Sequence, residues 1–169
     1  MVDLFLNKIK KIPSDKQAII FNSKTLTYGD LLLKIDHCYN IISSTFDHKK
    51  VVVISGDYSF NSIAILFALC RHKCIFVPII SKNDEEIEKK LDVSSPDFVI
   101  DSNSLNIKPF QKKDKSITNS YYTDLFNSHK SGLVLFSSGS TGNPKAMVHD
   151  FDNLLSTYNV GKIKDLKLL

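Results

Sequence analysis

Cysteine is scarce in this sequence, and long apolar runs are absent. The cysteines, Cys38, Cys70 and Cys74, number three, which is not the even set that a disulfide framework needs. No apolar run approaches the roughly 20 residues that span a bilayer, and Met1 to Lys11 contain no small-residue cleavage site of a signal peptide. These absences argue against a secreted or membrane-spanning protein and predict a cytoplasmic one with reduced thiols.

A strong charge of one sign is lacking as well. Lysine and arginine total 22 against 18 aspartate and glutamate, so the formal net charge is +4, and the lysines are scattered. Nucleic-acid-binding domains carry a basic stripe interleaved with aromatic residues, and its absence predicts no nucleic-acid partner. Solvated lysines explain the charge, and they would not hinder an anionic nucleotide.

The sequence does contain an alternation of strand-like and helix-like segments. Its 169 residues, 43% of them hydrophobic, suffice for one domain with a sizeable core. The predicted strands are Gln17–Phe21 and Lys24–Thr27 as a hairpin, then Val51–Ile54, Ile75–Ile80, Phe98–Ile100, Gly132–Phe136 and Ala146–Val148. The predicted helices are Val2–Lys11, Tyr28–Ser44, Ser59–Arg71, Asn83–Val93 and Phe151–Tyr158, and the polar stretch Ser102–Ser120 is expected to cross the surface. This order predicts an α/β fold with a mostly parallel sheet flanked by helices.

One polar segment follows the strand predicted at Gly132–Phe136. Residues 135 to 146 read L-F-S-S-G-S-T-G-N-P-K-A, and ligand sites of open α/β sheets lie at the carboxyl ends of strands. Glycines let backbone N–H groups approach a phosphate, hydroxyl groups add donors without bulk, and Lys145 adds a compact positive charge. The composition therefore predicts an exposed phosphate-binding loop over Ser137–Pro144. The alternative is a flexible serine–glycine linker.

This segment resembles the phosphate-binding signature of the AMP-forming adenylating enzymes. That family includes acyl- and aryl-CoA ligases, luciferases and the adenylation domains of peptide synthetases. Its pattern is two hydroxyl residues, glycine, two hydroxyl residues, glycine, any residue, proline, lysine and a small residue, and Ser137–Ala146 matches every position. A Walker A loop fits poorly, because Asn143 and Pro144 stand between Gly142 and the lysine.

Two further stretches resemble the same family in the right order. Thr25–Leu31 is similar to its early T-Y-x-E-L element, with Asp30 in place of glutamate as a helix cap. Leu69–Pro78 is similar to its L-K-A-G-A-x-Y-V-P stretch, where a helix ends directly in a strand. Lys73 replaces the glycine at the helix end, a left-handed position, at an expected cost of up to about 1 kcal/mol.

The resemblance covers Thr25 to Asn153 and implies a partial N-terminal domain, truncated before the full family fold is complete. Residues 1–169 would form an incomplete N-terminal AMP-binding (adenylation) domain with no C-terminal domain. The implied reaction uses ATP and Mg²⁺ to activate a carboxylic acid as an acyl-adenylate, and then passes the acyl group to a thiol of CoA or of a carrier pantetheine. The implied phosphate ligands are Ser137, Ser138, Gly139, Ser140, Thr141, Gly142 and Lys145, and no catalytic residue is assigned.

Several alternatives stay open at this point. The family's adenine, ribose and acid motifs come later in a longer protein, so the chain alone is expected to be inactive. It is then a fragment of an acyl- or aryl-acid–CoA ligase, a fragment of an amino-acid adenylation domain, a non-catalytic remnant, or a component that needs a second polypeptide with the other motifs. Cys70, His72 and Cys74 lack the partners of a tetrahedral metal site, which favours buried cysteines and predicts no metal. His149 either lines the nucleotide or substrate entrance or is a strand-end histidine.

Overall fold

The structure, a computed structural model, describes residues 1–112, 119–137 and 144–157. In chain order its elements are α1 (Val2–Ile9), β1 (Gln17–Phe21), β2 (Lys24–Thr27), α2 (Tyr28–Thr45), β3 (Val51–Ser55), α3 (Phe60–Arg71), β4 (Ile75–Ile79), α4 (Asp84–Ser94), β5 (Phe98–Asp101), β6 (Ile107–Pro109), α5 (Ser120–Asn127), β7 (Gly132–Ser137), β8 (Lys145–Asp150) and α6 (Phe151–Thr157).

Six of the strands form one sheet in the order β6-β5-β3-β4-β7-β8, and β1 and β2 form a separate hairpin. The inner strands β5, β3, β4 and β7 are parallel, whereas the edge strands β6 and β8 run antiparallel to their neighbours. The predicted α/β fold is confirmed, with a mixed sheet. Because the inner strands share one direction, β3, β4, β5 and β7 all end at the same edge, and β7 ends there at Ser137.

Each face of the sheet carries its own apolar core. Alternate strand residues such as Val52, Ile54 and Phe76 pack with α1, α2, α3 and α6 on one face. On the other face Val53, Ile75 and their neighbours pack with α4 and α5. The inner strands are therefore apolar on both sides, as parallel strands between two helical layers must be.

Two elements of the fold, β6 and α5, were not predicted from the sequence. The stretch Ser102–Ser120, predicted to be a surface crossing, contains the short edge strand β6, and α5 follows it. β6 ends in Pro109, which an edge strand tolerates because the missing N–H is not needed for a second ladder. α5 is held by burial of Tyr122 and by the Asn119 side chain, which accepts a hydrogen bond from the Tyr121 N–H at 3.0 Å.

The turn from α3 to β4 confirms the left-handed position predicted at Lys73, whose φ is 57°. The Lys73 N–H donates to the carbonyl of Cys70 at 3.1 Å, and the Cys74 N–H donates to the carbonyl of Leu69 at 3.0 Å. This pair of bonds is a Schellman motif, which satisfies two carbonyls at the helix end. Lysine occupies a position where glycine avoids the steric cost of its Cβ.

Comparison of Lys73→Gly with Lys73→Ala isolates that backbone cost. Both variants lose the same ammonium group, but only alanine retains a Cβ in the left-handed region. We expect Lys73→Gly to be more stable than Lys73→Ala by about 1 kcal/mol, measured as the difference in free energy of unfolding in urea. Equal stabilities would show that the turn relaxes at no cost.

A buried carboxylate joins the residues on either side of the β7–β8 hairpin. Asp152 is 7% exposed, and its Oδ2 accepts hydrogen bonds from the Ser131 N–H at 2.7 Å and the Ser131 hydroxyl at 2.8 Å. Its Oδ1 lies 3.3 Å from the Lys73 Nζ and 3.3 Å from the Met1 ammonium nitrogen. Burial alone raises the pKa of Asp152, but the hydrogen bonds from Ser131 and the two positive charges outweigh it, so the pKa lies below its usual 3.8.

This lowered pKa makes stability depend on pH in a defined direction. The ionised carboxylate stabilises the folded state above the unfolded pKa, so its contribution is present above about pH 4 and is lost as the pH falls further, through the folded pKa. We expect the free energy of unfolding of the wild type to fall more steeply below pH 4 than that of Asp152→Asn. Parallel stability curves for the two proteins over pH 2.5 to 5 would contradict this assignment.

Candidate phosphate-binding site

The site predicted from sequence lies where β7 ends and β8 begins. Ser137 is the last residue of β7 and Lys145 the first of β8, and the two are register partners in the antiparallel ladder. Both are exposed. The predicted ligands Ser138, Gly139, Ser140, Thr141 and Gly142 lie outside the described residues, so the structure places the two ends of the predicted loop and brings Ser137 and Lys145 together.

The bounds differ slightly from the prediction. Ser137 and Lys145 both belong to strands, whereas the sequence suggested a loop over Ser137–Pro144 and a shorter strand at Ala146–Val148. The strands extend further because the antiparallel ladder continues to their ends, where Phe136 pairs with Ala146 and Ser137 pairs with Lys145. A loop sequence alone does not reveal such pairing.

The β7–β8 hairpin is a two-stranded ribbon for most of its length. β4 pairs with β7 only at Ile75↔Gly132 and Phe76↔Leu133, whereas β8 pairs with β7 over all six residues from Gly132 to Ser137. Among the described residues, β7 therefore has no ladder partner on its inner side past Leu133. Its register partners Leu135 and Met147 are 37% and 44% exposed. The site thus lies at the end of a ribbon whose ladder to β4 stops at Leu133 and whose other face packs with α4 and α5 through Val134 and Phe136.

A second ammonium group lies beside the ribbon, and sequence reasoning missed it. The Nζ of Lys90 in α4 is 5.6 Å from the ring centroid of Phe136, the residue before Ser137. Lys90 also pairs with Glu86 one helical turn earlier, and this hydrogen bond is the main reason that the pKa of Glu86 is lowered. Glu86 and Lys90 are four residues apart, a spacing that favours an ion pair on a helix surface, but nothing in the sequence indicates contact with β7.

The histidines and cysteines noted in the sequence do not join this site. Cys70 and Cys74 are fully buried, as predicted, and burial raises the pKa of each thiol to about 12. The His72 ring nitrogen lies 2.9 Å from the Phe46 carbonyl oxygen, and His149 is half-buried in β8 opposite Leu133. Over residues 1–112, 119–137 and 144–157 no three His, Cys, Asp or Glu side chains are grouped to hold a metal ion.

Across the same described ranges, no helix has the length and apolar character to cross a membrane. The cytoplasmic location stays a prediction.

The fold is that of the N-terminal subdomains of adenylation enzymes. The N-terminal subdomain of Klebsiella oxytoca NpsA, solved with 3-hydroxyanthranilyl-AMSN, superposes with a TM-score of 0.66 at 20% identity, over 88% of this chain and 39% of that one. VinN, solved with 3-methylaspartate, superposes with a TM-score of 0.67 at 16% identity, over 94% of this chain and 50% of that one. At these identities the likeness establishes the fold.

The family itself follows from the sequence comparison. The model of the AMP-binding enzyme family matches residues 5–167, and the chain belongs to that family. The D-alanine--D-alanyl carrier protein ligase of Streptococcus pneumoniae is 27% identical over 145 residues, which are 79% of this chain and 28% of the ligase. Bacitracin synthase 1 of Bacillus licheniformis is 24% identical over 165 residues, 90% of this chain and 3% of the synthase. The resemblance drawn from the three motifs is thereby confirmed.

Proposed function

We propose that this chain supplies the triphosphate-binding part of an enzyme that activates a carboxylic acid as an acyl-adenylate. The observation that carries the proposal is the pairing of Ser137 with Lys145 at the end of the ribbon, with the family's phosphate signature in the residues between them. Membership of the AMP-binding enzyme family supports it. The chain spans 28% of the carrier protein ligase, so the activity proposed is that of the whole enzyme.

The charges at the ribbon end suit a triphosphate. In the proposed reaction the substrate carboxylate attacks the α-phosphorus of ATP, a carboxyl oxygen–phosphorus bond forms, and the bond to the leaving pyrophosphate breaks with its electron pair. Negative charge grows on the pyrophosphate oxygens, and the Lys145 ammonium together with hydroxyl and backbone donors opposes that charge. The proposed Mg²⁺ would accompany the nucleotide and neutralise phosphate oxygens. The chain's own part is to bind and orient the phosphates.

The acyl acceptor we propose is the thiol of a carrier pantetheine, and the acid an amino acid. The names of the carrier protein ligase and of bacitracin synthase 1 support this choice. Coenzyme A with an acyl or aryl acid, which the sequence analysis left open, is the second candidate. Thioester formation with a purified carrier protein, compared with CoA in the same assay, distinguishes the two.

A binding measurement tests the phosphate site directly. We expect a fluorescent ATP analogue and inorganic tripolyphosphate to compete for residues 1–169, and Lys145→Ala to weaken both about tenfold or more, because one charge-assisted contact is lost. Lys24→Ala, which removes an exposed lysine from the separate β1–β2 hairpin, is the matched control. Equal affinities for wild type and Lys145→Ala would overturn the proposed site.

A further inference from the structure

Within the described residues, the ribbon that carries the candidate site shares a backbone ladder with β4 only at its base. One of its faces, with Val134 and Phe136, packs in the core that α4 and α5 cover. An isolated two-stranded ribbon is marginally stable in water, and past Leu133 β7 has no ladder to β4. The position of the ribbon tip therefore depends on this packing and on what fixes the residues just before β7 and just after β8. Those residues are Ser131 and the start of α6.

The Asp152 side chain connects these two segments, Ser131 and the start of α6. It is the second residue of α6, and its Oδ2 receives both donors of Ser131, the residue directly before β7. The same carboxylate reaches the α3–β4 turn through Lys73 at 3.3 Å. A single side chain thus joins the start of β7, the end of β8 and the turn that begins β4.

The surroundings of this carboxylate are rigid. The Phe151 N–H donates to the Ser131 carbonyl at 3.0 Å, and the Ser131 hydroxyl lies 2.9 Å from the Cys70 thiol, which is fully buried. The Phe151 ring packs edge-on against Phe76 of β4, with ring centroids 4.8 Å apart. A buried carboxylate that loses its partners is strongly unfavourable, so this arrangement resists displacement.

We propose that Asp152 is a positioning residue for Ser137 and Lys145, which it aligns by clamping Ser131 to the start of α6 and both to the Lys73 turn. The proposal rests on the proposed function, because Ser137 and Lys145 are its proposed phosphate-binding residues. Asp152 does not itself touch the nucleotide in this assignment. Its carboxylate fixes the base of the ribbon, and the ribbon transmits that placement to Ser137 and Lys145.

The positioning role of Asp152 is tested by hydrogen exchange and ligand affinity, measured on the same proteins. The variants are Asp152→Asn, which keeps the side-chain shape, and Ser131→Ala, which removes one of the two donors. The control is Asp36→Asn, which removes an exposed carboxylate of α2 from its ion pair with Arg71. Exchange is followed by mass spectrometry in residues 132–137 and 145–150, with β3 as the internal reference.

We expect Asp152→Asn to speed exchange in the ribbon roughly tenfold and Ser131→Ala to speed it less, with β3 unchanged in both. Affinity for the fluorescent ATP analogue should fall about three- to tenfold in Asp152→Asn at a temperature where the variant is fully folded, and Asp36→Asn should match the wild type.

If Asp152 had only a general structural role, its replacement would speed exchange in β3 as much as in the ribbon. That result would overturn the proposal, as would unchanged exchange in the ribbon. If the wild type binds no triphosphate, the proposed function fails, while the exchange pattern still decides whether Asp152 clamps the ribbon. Should Asp152→Asn not fold, Ser131→Ala carries the same comparison.

Discussion

Replacement of Lys145 by alanine is expected to slow adenylation about ten- to a hundredfold in the complete enzyme. Lys145 is the register partner of Ser137 at the end of the ribbon, and from there we expect its ammonium group to reach phosphate oxygens. A charge-assisted contact made in the transition state is worth roughly 1.5–3 kcal/mol. Folding should be almost unchanged, because Lys145 is exposed. The measurement is acid-dependent pyrophosphate exchange into ATP, with the rest of the enzyme supplied by fusion or as a second chain.

Two further variants sharpen this prediction. Lys145→Arg should restore only part of the rate, because the planar guanidinium is bulkier and directs its donors differently. Lys24→Ala should exchange pyrophosphate as the wild type does. Unchanged kinetics in Lys145→Ala would show that the lysine is only a solvated residue at the start of β8 and would remove the strongest assignment at this site.

Residues 1–169 alone are expected to give no pyrophosphate exchange with any acid. The chain matches 28% of the carrier protein ligase and 39% of the NpsA subdomain. Its described residues include proposed ligands for phosphate, but none has been assigned to the acid or the adenosine. Exchange requires an acid and an adenosine held in line with the triphosphate, and loss of that positioning removes most of the catalytic effect.

The same assay can distinguish a component of a split enzyme from a non-catalytic remnant. Addition of the polypeptide that carries the remaining family motifs should restore exchange if the chain is a component of a split enzyme, and should do nothing if the chain is a non-catalytic remnant. Exchange by residues 1–169 unaided, at a rate above a Lys145→Ala sample of the same preparation, would contradict the prediction that the chain alone is inactive.

Local signals in the sequence were sufficient for much of this fold. The Thr27–Asp30 cap was predicted from spacing, and both of its reciprocal bonds are present, at 3.1 Å and 2.8 Å. The four inner strands were found because continuous β-branched and apolar runs identify strands buried on both faces. The antiparallel edge strand β6 was missed because its three residues, Ile107–Pro109, carry no periodicity.

The candidate site also combines residues that a local sequence pattern predicts with one residue that it does not. The glycines, hydroxyl residues and lysine of the loop form a local pattern, so they could be assigned from sequence. Asp152 could not, because its partners Ser131 and Lys73 are 21 and 79 residues away in the chain. Nothing near an aspartate at the start of a helix predicts that it will be buried among donors from three separate elements.

The left-handed turn at position 73 also bears on how this protein can change over evolutionary time. Glycine would suit the φ of 57° best, yet the lysine found there places its ammonium 3.3 Å from the Asp152 carboxylate. Loss of that cation would leave a buried anion with one fewer partner, while loss of the anion would leave a lysine that only strains the turn. Among relatives we therefore expect positions 73 and 152 to co-vary, with glycine at the first accompanied by an uncharged residue at the second.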